Sequence, residues 1–158
     1  MMENWTKFDA LFKQYGSKYL VEWRWLKAIA MNESSLGTNK SVALGMANPN
    51  NVMGSTSHDG KSWGLMQLTC KTAKTLDMLA TPEKLNNPEY SIDLAAQYVS
   101  QLKKMFRPND PRYTEWVIKS YNQGPGNTKN EMIGKSSGFA GEYWRRFKQN
   151  LDLVGAYF

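Results

Sequence analysis

Thiol and imidazole groups are scarce in this 158-residue chain, which has one cysteine, Cys70, and one histidine, His58. No internal disulfide can form, so a stapled secreted scaffold is excluded. A zinc site built from several Cys and His ligands is excluded on the same ground, and nothing else calls for a metal or cofactor. No apolar run approaches the ~18–20 residues that a membrane-spanning helix requires. The opening Met1-Met2-Glu3-Asn4-Trp5 lacks the basic start, apolar middle and small-residue cleavage site of a secretory signal, so export by the ordinary signal route is not expected. Internal repeats, low-complexity tracts and a convincing alternating strand pair are also missing.

The chain does hold a globular balance, with 41% hydrophobic and 22% charged residues. A length of this order makes one domain, residues 1–158, with one core. Aromatic residues are plentiful, at 6 Trp, 8 Tyr and 6 Phe; most belong in the core, and some can stack on flat ligands such as sugars or bases. A formal charge of +6 and a sequence pI near 9.4 favour polyanionic partners. Charge is the only argument for nucleic acid, because no basic helix or aromatic–Arg alternation accompanies it.

The periodicity is helical. Trp5, Phe8, Leu11, Phe12 and Tyr15 form a first stripe that stops at Gly16. A second helix is expected from about Val21 to Asn32, with Leu26, Ile29 and Ala30 on one side. From Gly37 to Trp63 the periodicity vanishes and Asn, Gly, Ser and Pro dominate. Such a loop is far longer than the usual ~4–6 residues, and long loops tend to be functional or disordered. It has room for a small β-hairpin. Thr69 is placed to cap a short helix to about Leu79. Ser91 opens the cleanest helix, whose stripe is Ile92, Ala95, Ala96, Val99 and Leu102 and which ends before Pro108. Another helix, holding Tyr113 to Tyr121, stops in Gly124-Pro125-Gly126, and an amphipathic basic stretch runs from about Phe139 to Leu153. The fold class is mainly α.

Glu33 is out of place. It follows Ala30 by three residues and Ile29 by four, so it projects from the apolar stripe. It also falls at the carboxyl end of its helix, where the dipole opposes negative charge. Both effects favour the neutral acid that a general acid requires. The other reading is a frayed helix end with Glu33 in water. Trp63-Gly64-Leu65-Met66-Gln67-Leu68-Thr69 puts a glycine where a loop meets a helix start, permitting close approach to the backbone. Gln67 offers a donor and an acceptor there, although Leu65, Met66 and Leu68 also read as core. Tyr121-Asn122-Gln123-Gly124-Pro125-Gly126 puts a phenol on a sharply turned platform, or simply ends a helix.

Taken in order, Glu33-Ser34-Ser35, Gly64-Leu65-Met66-Gln67 and Tyr121-Asn122-Gln123-Gly124-Pro125-Gly126 resemble the signature of the soluble-type lytic transglycosylase domain. Leu26 to Ala30 is similar to that family's catalytic helix, and Asn48-Pro49-Asn50-Asn51-Val52 to its following Asn-Pro segment. The resemblance covers about residues 20–147. It implies a lysozyme-like fold, shared with goose-type lysozyme, with the long loop beside an active-site cleft. The implied substrate is the glycan of bacterial peptidoglycan, cut between N-acetylmuramic acid and N-acetylglucosamine with closure of a 1,6-anhydro ring. Glu33 matches the single catalytic acid. Ser34, Gly64, Met66, Gln67, Tyr121 and Asn122 match substrate-binding positions. Thr69-Cys70 replaces the family's usual Met-Pro, and the C-terminal Glu-Thr-Arg segment is not reproduced. The chain is expected to act on the cell wall as a monomer, without nucleic acid or membrane insertion. In setting it looks like a bacteriophage product, either an endolysin or a virion component.

Two other chemistries stand beside this one. A goose-type hydrolase would use Asp59 as a second carboxylate to position water. A cysteine amidase would pair Cys70 with His58, its thiol pKa lowered at a helix start. A noncatalytic wall-binding module is a third class.

Overall fold

A computed structural model describes residues 2–50 and 62–156. They form nine helices and one small antiparallel sheet: α1 (Asp9–Tyr19), α2 (Trp23–Ser34), α3 (Lys40–Ala47), β1 (Ser62–Trp63), β2 (Leu68–Thr69), α4 (Cys70–Leu76), α5 (Pro82–Leu85), α6 (Pro88–Lys103), α7 (Tyr113–Gln123), α8 (Pro125–Met132) and α9 (Gly141–Ala156). The mainly helical class read from the sequence is what the structure has, and it is consistent with a lysozyme-like fold. No described helix is long and apolar enough to cross a membrane. The chain groups into two compact units, residues 1–97 and 98–158, with the boundary inside α6.

In the first unit α1 packs on α2. The seam contains buried Lys27, whose ammonium lies 2.9 Å from an Asp9 carboxylate oxygen and 4.0 Å from the centre of the Trp5 ring. The core is apolar: Phe12, Leu26, Ile29, Leu36, Leu65 and Met66 are fully covered. Gly16 does not end α1. It lies inside the helix, where an added Cβ would stand 2.7 Å from the Val21 carbonyl oxygen, so close packing of the returning chain places a glycine there. The helix ends at Leu20, which takes the left-handed conformation.

The aperiodic stretch 37–63 is not all loop. Asn39 accepts a hydrogen bond from the Ser41 N–H and caps α3, a helix whose larger apolar residues, Val42, Leu44 and Met46, fall at every second position and so show no helical period. The hairpin lies at the end of that stretch rather than within it. Ser62 pairs with Thr69 and Trp63 with Leu68, which leaves Gly64 to Gln67 as the turn. Thr69 caps α4 as expected, accepting from the Thr72 N–H, but α4 ends at Leu76. Helix α6 begins at Pro88, three residues before Ser91, since proline's fixed φ and missing N–H suit the first helical turn.

In the second unit α7 packs against α8 and α9. Gly124-Pro125-Gly126 is a junction rather than a stop. Gly124, with φ 87° and ψ 150°, turns the chain in a region only glycine enters readily, and Pro125 starts α8. Lys119, buried on α7, lies 2.8 Å from Glu115 and 2.6 Å from Glu131. Gln123 donates to Thr128 and Glu131 and accepts from the Phe139 N–H, fixing the segment that leads into α9.

Candidate active site

Helix α2 remains regular through Ser34, so Glu33 is in its last turn and not in a frayed tail. Glu33 is half-buried. The helix closes with two backbone bonds, from Ser35 N–H to Met31 and from Leu36 N–H to Ala30. Ser35, Leu36 and Gly37 then follow one another at positive φ. Such a run is costly for non-glycine residues and persists only where the surroundings hold it. Asn4 supplies one hold, donating from Nδ2 to the Leu36 carbonyl at 3.0 Å.

Ser34 supplies the other. Its hydroxyl, fully buried, donates to the Leu65 carbonyl at 2.7 Å, stands 3.3 Å from the Ala30 carbonyl and accepts from the Gly37 N–H at 3.0 Å. This fastens the residue after Glu33 to the turn of the hairpin. The same turn is held from the other side by Ser91, whose buried hydroxyl accepts the Met66 N–H at 3.1 Å. Two sequence-distant motifs, Glu33-Ser34 and Gly64 to Gln67, are thus joined within one unit.

Gly64 has φ 77°, and a Cβ there would fall 1.9 Å from the Leu85 carbonyl oxygen. The close approach that demands glycine is therefore made by the chain's own backbone. Met66 is fully buried and points its side chain into the core. Gln67, at φ 53° and 7% exposed, folds its amide over the turn and donates to the Gly64 carbonyl at 2.8 Å. Its Oε1 is buried and meets no hydrogen-bond donor among the described residues. Buried acceptors are normally satisfied, so an open one in the turn that Ser34 fastens to the end of α2 calls for a donor.

In the second unit Tyr121 is nearly buried near the end of α7, its ring centre 5.6 Å from that of Tyr98, while Asn122 is exposed. Asp59 and His58 lie outside the described residues. Cys70, half-buried at the start of α4, has its thiol pKa pushed up by burial, with Lys74 pulling weakly the other way. This runs against the expectation of a thiol activated by a helix start, because burial disfavours the thiolate and the Glu83 carboxylate adds to that effect. Among the described residues no group of three His, Cys, Asp or Glu side chains could hold a metal.

The contribution of Ser91 is not visible in the sequence reading, which has it only as the opening of a helix. The signal was its spacing: Ser91 lies four residues before Ala95, on the buried stripe, where a hydroxyl needs a partner.

Two curated proteins are similar to this chain. One is the membrane-bound lytic murein transglycosylase F of Hahella chejuensis, 30% identical over 151 residues, covering 94% of this chain and 26% of that protein. The other is the protein of the same name from Ectopseudomonas mendocina, 22% identical over 157 residues, covering 98% of this chain and 28% of that protein. The chain therefore spans about a quarter of the length of these relatives. The family described as Transglycosylase SLT domain matches residues 10–142. With its ordered motifs and helical fold, the chain belongs to the transglycosylase SLT domain family.

Proposed function

We propose that the chain is a peptidoglycan lytic transglycosylase that cleaves the β-1,4 bond between N-acetylmuramic acid and N-acetylglucosamine, with Glu33 as its one acid and base. The observation that carries this reading is the Ser34–Leu65 hydrogen bond, which fixes the end of α2 against the turn bearing Gln67. It gives a half-buried carboxyl group and an open amide acceptor a common rigid support.

In the first step Glu33 protonates the glycosidic oxygen, the bond from that oxygen to the muramoyl C1 breaks, and the N-acetylglucosamine 4-hydroxyl leaves. The Glu33 carboxylate then takes the proton of the muramoyl C6 hydroxyl as O6 bonds to C1. The acid is regenerated, no water is consumed, and the product carries a 1,6-anhydro ring. An intramolecular nucleophile makes a second carboxylate unnecessary, since effective molarities of such reactions reach about 10⁵–10⁸ M. Gln67 Oε1 accepts a hydroxyl or amide proton of the glycan, and Gly64 and Met66 shape the turn beneath it. Ser34 serves by holding Glu33 in place, as its hydroxyl is already engaged. Tyr121 and Asn122 contribute to sugar binding, and peptidoglycan strands are the partner. Delivery as a phage product accompanies this reading; the protein's presence in purified virions, against its presence only in late lysates, separates the two phage roles.

The test is mass analysis of muropeptides released from purified wall by wild type and by Glu33→Gln. The expected result is anhydro ends with wild type and almost none with the variant. A product heavier by one water, with a reducing muramic acid, would identify a hydrolase and turn attention to Asp59.

A further inference from the structure

The N-terminal segment touches α2 and the turn after it at two points that straddle Glu33. At the first, the Lys27 ammonium lies 4.0 Å from the centre of the buried Trp5 ring. At the second, Asn4 Nδ2 donates to the Leu36 carbonyl at 3.0 Å. The Lys7 N–H bonds back to the Asn4 carbonyl at 3.0 Å, so the segment is a closed turn and not a loose tail. The residues that match the family begin at 10, and both contacts come from outside them.

Asn4 has φ 65° and Leu36 has φ 56°. Asparagine tolerates this left-handed region because its short polar side chain bonds locally, whereas a leucine enters it only under constraint. The hydrogen bond thus joins a residue at ease in that conformation to one that is held in it. Leu36 is also held by its own N–H, bonded to Ala30, and by a fully covered side chain. On the outer side the turn is not backed by packed atoms. A cavity of about 440 Å³ opens there, lined by Asn4, Gly37, Thr38, Ala43 and Met46 among others. Packing does not stop the turn from relaxing into that space; the amide of Asn4 does.

We propose that Asn4 is a positioning residue for the acid, an assignment that rests on the role proposed above for Glu33. It acts through the Leu36 carbonyl. The Leu36 N–H bonds to Ala30 and the Gly37 N–H to the Ser34 hydroxyl, so movement at residue 36 pulls on the last turn of α2, which carries Glu33. A general acid works only within hydrogen-bond reach of the atom it protonates. A misplacement of about 1 Å can cost about 10²-fold in rate, even when it begins away from the chemistry.

Asn4→Asp and Asn4→Gly test the assignment, since both tolerate the left-handed backbone and both remove the donor. Each is assayed for anhydro ends on soluble peptidoglycan strands, at a temperature where melting curves show it fully folded. The expected result is a kcat about 10- to 100-fold lower, with KM within about twofold of wild type. Thr6→Ala, exposed and two residues along, should keep the wild-type kcat. An unchanged kcat in both Asn4 variants, a change confined to KM, or an equal fall in Thr6→Ala overturns the proposal. Amide hydrogen exchange reads the hold itself. Protection of the Leu36 and Gly37 N–H groups should drop at least about tenfold in both Asn4 variants, while that of the Phe12 N–H inside α1 stays as it was. Unchanged protection at Leu36 and Gly37 overturns the proposal whatever the activity. A wild type that makes no anhydro ends defeats the proposed activity and the positioning role with it, a failure that the exchange data tell apart from loss of the hold.

Discussion

The end of α2 with its hairpin turn, and the charged cluster between α7 and α8, are both buried polar regions, yet they are finished differently. Around Lys119 each charge meets its opposite, and Gln123 uses both ends of its amide. In the hairpin region, buried acceptors on Gln67 and on Asn86 beside it meet no described donor. A completed network contributes to stability and specifies one packing. An incomplete one gives up stability, and such sacrifices concentrate where a protein meets a ligand. On the function proposed above, the completed cluster serves stability and the unfinished one serves the glycan.

Five outcomes would sharpen or break that contrast. Glu33→Gln should lower turnover on purified wall by about 10²–10⁴-fold or more, the range attributed to a positioned acid or base, with an unchanged melting temperature. Lys119→Met should do the reverse. Stranding two carboxylates costs about 3–5 kcal/mol, seen in denaturant melts, while any product formed by folded enzyme keeps its anhydro end. Ser34→Ala should affect both properties, at about 1–3 kcal/mol for the lost buried hydroxyl, together with a fall in kcat larger than any change in KM.

Gln67→Met should separate the properties again. It loses one hydrogen bond and relieves one buried unmet acceptor, so stability should stay within about 1 kcal/mol while glycan turnover falls at least several-fold. A clear gain in neither direction on stability, with full activity, would remove Gln67 from the site. The smallest effect is a pH dependence. Arg112, and next Lys119, hold the Glu115 carboxyl well below the usual range, at about 2. Because the folded pKa is depressed, the cluster's stabilisation is complete above the ordinary glutamate range and is lost as pH falls from there toward 2. Acid melts of Glu115→Gln should lack that decline.

Much of this organisation was legible in the chain. Leu26, Ile29 and Ala30 announce α2 because burial on one face imposes a 3.6-residue period, and Thr69 marks the start of α4 because its hydroxyl meets an unpaired N–H. Other features left no periodic trace. The helix at 40–47 is short and largely exposed, so its pattern is weak. Gly16 reads as a breaker locally, while its actual role depends on Val21 returning against it. Gly-Pro-Gly reads as an end, although a single glycine conformation allows one helix to follow another directly.

By itself the sequence determined the helical class, the acid at position 33 and the three motifs in their order, because periodicity and residue chemistry are local properties written one position at a time. Only the tertiary structure decided that Ser34 and Ser91 clamp the hairpin turn, that Gly64 yields to Leu85 rather than to a ligand, and that Gln67 keeps an open acceptor. Those facts depend on which donors and carbonyls arrive from residues 21 to 31 positions away, and contacts over such separations are settled by packing.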